Sequence, residues 1–328
     1  VRDRSGLGAE YSQPGLDLRV DGDRIAGSNW GLALDVRTRR TYRDYADGSS
    51  HDDSRSRVYR MNLSWDGADT PWRFAVGRQF SPAFSSVSVF HGISADYERK
   101  RWSTGLFSGS QPDPQDYGYS SDIKEHGAYF QYRGDPAPRK SWSVTTGLVA
   151  SYQESEVNRE FLYVQGRYRG EKLSAYATSE LDFNRDWKKE AGESGLEFTS
   201  GFFSLHYRLN EKVTLRGGFD DRRNVRLYRH HVTPETDFDD TFRRGGWAGI
   251  HVRLQKRFSF GFDARSSSGG DAGSADSYTA TLGLSRLTSR NVRLHARATS
   301  YSNDRLEGWL YSLRAGLDLG RNVGLSVS

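Results

Sequence analysis

Every second residue between Trp142 and Tyr152 except Thr146 is apolar or aromatic: Trp142, Val144, Leu148, Ala150 and Tyr152. The residues between them, Ser143, Thr145, Gly147, Val149 and Ser151, are small and mostly hydroxyl-bearing. This period of two predicts a β-strand longer than the five or six residues usual in soluble domains. At about 3.3 Å per residue and a tilt near 45°, such a strand crosses the ~25 Å apolar band of an outer membrane.

The pattern recurs along the chain. Leu173, Ala175, Ala177, Leu181 and Phe183 oppose Lys172, Ser174, Tyr176, Thr178, Glu180 and Asp182. Phe258, Phe260, Phe262 and Ala264 alternate with Arg257, Ser259, Gly261, Asp263 and Arg265. Tyr278, Ala280, Leu282 and Leu284 repeat the pattern, as do Val292, Leu294, Ala296 and Ala298 against Arg293, His295, Arg297 and Thr299. Trp30, Leu32, Leu34 and Val36 begin it, and a polar stretch from Arg43 to Ser56 separates them from a strand over Arg57–Trp65. No stretch shows a comparable helical period. Sixteen strands are expected from Trp30 to Leu319, with a further one near residue 16 and a fragment at Val323, Leu325 and Val327.

The connections alternate in length. Asp66–Pro71, Glu98–Arg101, Gly134–Arg139, Arg169–Glu171, Asn210–Glu211, the Lys256 corner, Thr288–Arg290 and Gly320–Arg321 are short. Ser81–Ser88, Gly109–Ile123, Gln153–Asn158, Asn184–Ser194, Asp221–Arg244 and Ser266–Asp276 are longer, and Ser302–Arg305 is short where a long one is due. A meander of this kind puts all its short turns on one side. Aromatics flank those turns: Trp65, Trp72, Tyr97, Trp102, Tyr132, Trp142, Tyr168 and Tyr207. Rings with an apolar body and a polar tip suit the boundary between membrane and water. Tyr152, Phe183, Trp247 and Trp309 stand near the opposite strand ends as a second belt.

From Trp30 to Val327 the sequence resembles bacterial outer-membrane β-barrels, porin-like in size, on pattern and not on a family motif. The resemblance implies an all-β fold: a large antiparallel transmembrane β-barrel of about 16–18 strands in an up-and-down meander, with short periplasmic turns and longer extracellular loops. Residues 1–28 stand apart as an N-terminal segment of uncertain structure, and 29–328 form the barrel, its last strand incomplete. The implied location is the cell outer membrane, with the signal peptide absent from this sequence, since Val1–Gly15 carries charges and no apolar core.

Composition is compatible with this reading. A mean hydropathy of −0.77 excludes a helical membrane bundle but not a barrel, half of whose strand positions are polar. Aromatics at 13% and 35 glycines suit strands and turns. No linker or charge block divides the 328 residues. The net charge of +5 is dispersed, so nucleic acid is not an expected partner. The absence of cysteine removes thiol and disulfide chemistry.

No catalytic signature is present: neither a phosphate-binding glycine loop nor a nucleophile elbow nor a His-Glu-x-x-His helix. Phe107-Ser108-Gly109-Ser110 lacks the spacing of a hydrolase nucleophile. His230-His231 precedes Glu235, Asp237, Asp239 and Asp240, a grouping better read as a hydrated acidic loop tip than as a metal site, and His51-Asp52-Asp53 reads the same way. A non-enzyme without metal or cofactor is therefore expected. The polar faces say more. With apolar residues toward lipid, a lumen receives Arg216, Arg253, Arg257, Arg265, Arg293, Arg297, Arg314 and Asp263, beside Asp220 and Asp318, from the C-terminal half. Lys172, Glu180, Asp182, Asp35, Arg37, Arg60, Arg73 and Asp96 add mixed signs. These arginines either favour anions along an aqueous path or pair with carboxylates and stiffen the wall.

The expected function is a water-filled pore for passive passage of small polar solutes with an anion bias. Gly109–Ile123 and Asp221–Arg244 are the loops expected to narrow it. The partners are outer-membrane lipid and small polar solutes. The alternative is an outer-membrane scaffold or anchor holding a secreted or surface partner in its lumen or on its outer loops. A soluble, carbohydrate-binding β-protein is a third reading, distinguished by solubility without detergent.

Overall fold

The computed structural model describes residues 10–45, 49–81, 83–85, 87, 89–114, 116–134, 139–233, 242–255, 257–269, 273–285, 292–318 and 324–327. Among them are nineteen strands, two short α-helices and a 3-10 turn at Ile25–Gly27. The chain forms two compact units, Val1–Tyr132 with Thr146–Phe161, and Arg133–Thr145 with Leu162–Ser328.

In the first unit β1 (Glu10–Ser12) and β2 (Gly15–Gly22) both pair antiparallel with β3 (Trp30–Asp44). β4 (Ser50–Asp66), β5 (Trp72–Gln79), β6 (Phe90–Glu98), β7 (Trp102–Ser110) and β8 (Ile123–Arg133) follow, each antiparallel to its predecessor. The Arg43–Ser56 stretch, expected as a loop, is mostly strand: β3 runs to Asp44 and β4 starts at Ser50. Charged residues hid it, because alternation of arginine with threonine or serine leaves no hydropathy signal.

β9 (Ser141–Gln153) and β10 (Glu156–Arg169) are each divided between the two units. In the first unit their hairpin closes through Glu154 and Ser155, both at positive φ (53° and 72°). That matches the right-handed twist of the flanking strands, so the Gln153–Asn158 connection, expected long, is tight.

The second unit continues with β11 (Leu173–Phe183), α1 (Trp187–Glu190), β12 (Leu196–Arg208), β13 (Val213–Arg222) and α2 (Tyr228–Val232). β14 (Arg243–Gln255), β15 (Phe258–Ser268), β16 (Ala275–Leu284), β17 (Arg293–Asn303), β18 (Glu307–Asp318) and β19 (Gly324–Val327) complete it. From β11 to β19 each strand pairs antiparallel with the next. The turns are made by short polar side chains. Asn210 Oδ1 accepts from the backbone of Lys212 and Val213, both at 2.8 Å. Asn303 Oδ1 accepts likewise from Arg305 and Leu306; both are local Asx bonds that reverse the chain. The strands β3 to β18 are the sixteen expected, β2 is the strand near residue 16, and β19 is the terminal fragment. Val323, Lys256, the Thr288–Arg290 turn and the Gly320–Arg321 turn lie outside the described residues.

Burial is inverted relative to a soluble sheet. In β9 Trp142, Val144, Thr146 and Leu148 are exposed, while Thr145, Gly147, Val149 and Ser151 are buried. Leu148 is 56% exposed and Phe260 42%. Ile93, Leu106, Phe130, Phe203, Phe219, Tyr278 and Leu282 are exposed on their own strands in the same manner. Register carries this face from strand to strand: Phe262 lies opposite Ala280 and Ile250, and Phe203 opposite Ala177 and Phe219. An apolar surface this continuous is not tolerated in water. Its medium is hydrocarbon.

The first unit has a compact apolar cluster of its own. The β5–β6 connection places Ala83, Phe84, Val87 and Val89 in buried positions, with Phe90 at the start of β6. Phe84 stands edge-on to Phe107 and Tyr129, centroids 5.9 Å apart in each case. A Cβ on Gly147 would lie 2.4 Å from the Phe84 ring, so only glycine admits the loop there. This connection therefore folds over the face of β7–β9 opposite their exposed apolar residues.

Candidate functional site: the polar strand face

In the second unit the polar face of β12–β17 forms a cavity of about 820 Å³. Its lining includes Arg216, Arg222, Arg265 and Arg297, with Asp220, Asp263 and His295, and the Trp247 and Phe202 rings. The rings lie 5.6 Å apart between centroids. Trp247 sits opposite Arg265 in register. It belongs to the polar face and not to an outer aromatic belt, where the spacing along the chain had placed it. Gly218 makes room for it, since a Cβ there would meet the indole at 2.1 Å.

One ion pair spans three strands. Arg216 on β13 and Asp263 on β15 are both opposite Gly249 on β14. The guanidinium Nε donates to Asp263 Oδ1 at 2.7 Å and a second nitrogen to Oδ2. A Cβ on Gly249 would lie 1.9 Å from Asp263 Oδ1, so the missing side chain is what lets the pair close above β14. Arg297 Nε donates to Thr299 Oγ1 at 3.2 Å, and Thr299 shares a hydrogen bond with Thr279. Arginines outnumber aspartates in this cavity, so pairing leaves a cationic excess.

The structure thus gathers Arg216, Asp263, Arg265 and Arg297 around one cavity, and the other residues expected to line a path are not part of its lining. Arg314 lies opposite His295 and Arg293 opposite Gly316, both exposed. Glu180 on β11 lies opposite Ser200 on β12, at a bulge, half-buried. Arg253, near the end of β14, donates its backbone N–H to Lys212 O at 2.7 Å. Lys172 and Arg257 occupy the short turns before β11 and β15. Strand alternation alone does not reveal where a strand stops, which is why Lys172 and Arg257 continue the pattern of their strands and yet occupy turns.

The turn-flanking aromatics form contacts within each unit. Trp72 is 4.9 Å from Tyr97 and Tyr97 is 5.4 Å from Trp102, while Trp65 and Trp72 both meet Phe74 at 5.8 Å. Trp102 is opposite Tyr132 in register, and Tyr207 opposite Leu173. The Trp142 ring covers Gly134, and Lys140 lies 6.0 Å above the Tyr168 ring.

Long connections are held by polar contacts. Arg78, 4% exposed, donates to Tyr117 O at 2.8 Å and lies 4.6 Å over the Tyr117 ring, which fixes the β7–β8 loop. Gln111 Nε2 donates to Glu125 at 2.9 Å. In the second unit Arg223 pairs with both Glu193 and Glu197, tying the β11–β12 connection to the segment that leads into α2. Trp187 of α1 stacks on His231 at 4.9 Å. Leu227 N donates to His230 Nδ1 at 3.0 Å. Among the described residues no group of three potential metal ligands is found; Glu235, Asp237, Asp239 and Asp240 lie outside them.

No family model and no curated protein sequence matches this chain. Solved structures do. The translocation pore of the P pilus usher PapC superposes with a TM-score of 0.54, covering 96% of this chain and 78% of its own at 12% identity. Pseudomonas aeruginosa OpdQ gives 0.47 over 99% and 94% of the two chains at 10% identity. Pseudomonas aeruginosa OccK7 gives 0.46 over 98% and 94% at 11% identity. The fold is an outer-membrane β-barrel. The usher pore carries that assignment, together with the exposed apolar strand face, and the outer membrane is where such a barrel resides.

Proposed function

We propose that this barrel is a water-filled pore for the passive passage of small polar solutes, with a preference for anions. One observation carries the reading: the strands that expose phenylalanine and leucine on one face bring Arg216, Arg222, Arg265 and Arg297 together on the other. A cationic wall beside a confined aqueous path concentrates anions and depletes cations. The aromatics Trp65, Trp72, Tyr97, Trp102, Tyr132, Trp142, Tyr168 and Tyr207 serve as the interface belt at the short-turn side. The Phe84 loop and the Tyr117 loop rest on the polar face of the first unit and narrow the path there. Nothing in this reading needs a reacting group, and the barrel acts as a channel and not as an enzyme.

Planar bilayer recording tests it. Purified protein under a potassium chloride gradient gives a reversal potential on the anion side. Arg265→Gln with Arg297→Gln moves that potential toward the non-selective value. A barrel that does not conduct, or that prefers potassium, overturns the proposal. A second reading, a scaffold holding a secreted or surface partner, draws on the likeness to a pilus usher's translocation pore. Stoichiometric co-purification of another protein with a non-conducting barrel favours it.

A further inference from the structure

β3 and β4 span fifteen and seventeen residues, beyond the roughly 9–11 that a membrane-crossing strand requires. Their distal halves, Arg37–Asp44 and Ser50–Arg57, carry a pairing that sheets ordinarily avoid. Arg37 lies directly opposite Arg57, and Arg39 directly opposite Arg55, in adjacent rows of one face. Arg43 lies opposite His51 two rows farther along. Like charges set across a strand pair repel and destabilise it. The five arginines share a cavity of about 490 Å³ with one carboxylate, Asp53.

Neighbours soften this repulsion only in part. Asp35 accepts from Arg37 at 3.3 Å, Asp17 of β2 lies opposite Arg37 in the same row, and Asp53 pairs with Arg55 at 3.2 Å. Arg37 lies 4.7 Å over the Tyr59 ring. By contrast, Arg40 on the opposite face lies opposite Ser54 and holds the diagonal Asp52 in a charge-assisted bond, which lowers the Asp52 carboxyl below its ordinary range. The same hairpin therefore has ordinary charge compensation on one face and, on the other, five arginines against Asp17, Asp35 and Asp53, an excess of two positive charges.

We propose that this ladder is a binding site for small multivalent oxyanions, solutes that carry two or more phosphate or carboxylate groups. Guanidinium forks match such oxygens two at a time. Facing arginines are separated by about 5 Å across the strands, and successive rows by about 7 Å along them. An anion with charges on that spacing bridges two rows and removes the repulsion in both, which a monovalent ion cannot do. The ladder shares its face with Ala33 and Asn62, the face opposite Leu32 and Leu63. The ligand is accordingly a solute and not a lipid headgroup. The proposal extends the anion-preferring reading to a specific solute class, but binding to the ladder does not require that the barrel conduct.

Titration calorimetry on the detergent-solubilised full chain, with tripolyphosphate at fixed ionic strength, measures the site without any conductance. Saturable binding is expected, weakened about tenfold or more in Arg39→Gln/Arg57→Gln and in Arg55→Gln. Arg99→Gln, at a turn residue whose side chain bonds Tyr97 outside the ladder, removes the same charge as Arg55→Gln and leaves the affinity unchanged. Without the anion, thermal unfolding of the double variant occurs at or above the wild-type temperature, because two like-charge pairs have been relieved. Absence of saturable binding overturns the proposal, as does an equal loss in Arg99→Gln. Binding with a silent bilayer record keeps the ladder and discards the pore.

Discussion

Leu148→Arg tests the lipid assignment most directly. Leu148 is the eighth of the thirteen residues of β9, one position from the centre, so it lies about 2–3 Å from mid-depth at 3.3 Å per residue and the usual tilt. It is 56% exposed, so arginine meets no packed neighbour and the cost comes from the medium alone. An arginine facing hydrocarbon at the midplane costs about 2–4 kcal/mol, which is roughly 30- to 700-fold in the folding equilibrium. Trp142 is six residues earlier on the same strand and face, about 14 Å nearer the boundary on that side, where arginine costs about 0–1 kcal/mol once read against Trp142→Ala, which cancels the loss of the ring's contact with Gly134. Equilibrium unfolding in denaturant, on protein folded into lipid vesicles and followed by tryptophan fluorescence, measures both variants against wild type. On a water-exposed surface both changes would fall within about 0.5 kcal/mol. Equal, small costs at the two positions would refute the membrane-facing assignment and everything built on it.

Two further outcomes follow from the interior contacts. Phe84→Ala empties a ring position that is 2% exposed and is expected to cost about 3 kcal/mol or more; in bilayers the same variant has a larger single-channel conductance, and an unchanged value shows that the loop does not narrow the path. Asp263→Asn releases Arg216 from its partner across Gly249. Because that pair is partly solvated, its loss costs under about 1 kcal/mol, while the reversal potential under a salt gradient moves further toward anions; a shift toward cations contradicts the cationic-wall argument.

What the sequence determined by itself was everything that repeats. Alternation at Trp142–Tyr152 and Phe258–Arg265 reports which side chains share a face, since successive residues of a strand point to opposite sides. Asn210 and Asn303 mark their turns because the bonds that reverse the chain are local. Strand number, antiparallel order and the exposed apolar face were legible for that reason. Tertiary structure decided what depends on register. Arg216 and Asp263 are 47 positions apart and meet only because Gly249 lies between them on the intervening strand. Arg37 and Arg57 face each other only because the β4 bulge near Asp35 and Val36 sets the offset. The Phe84 loop reads as an ordinary connection until Gly147 is found beneath it. A period of two assigns a residue to a face; it carries no information about which row of the neighbouring strand that residue will meet.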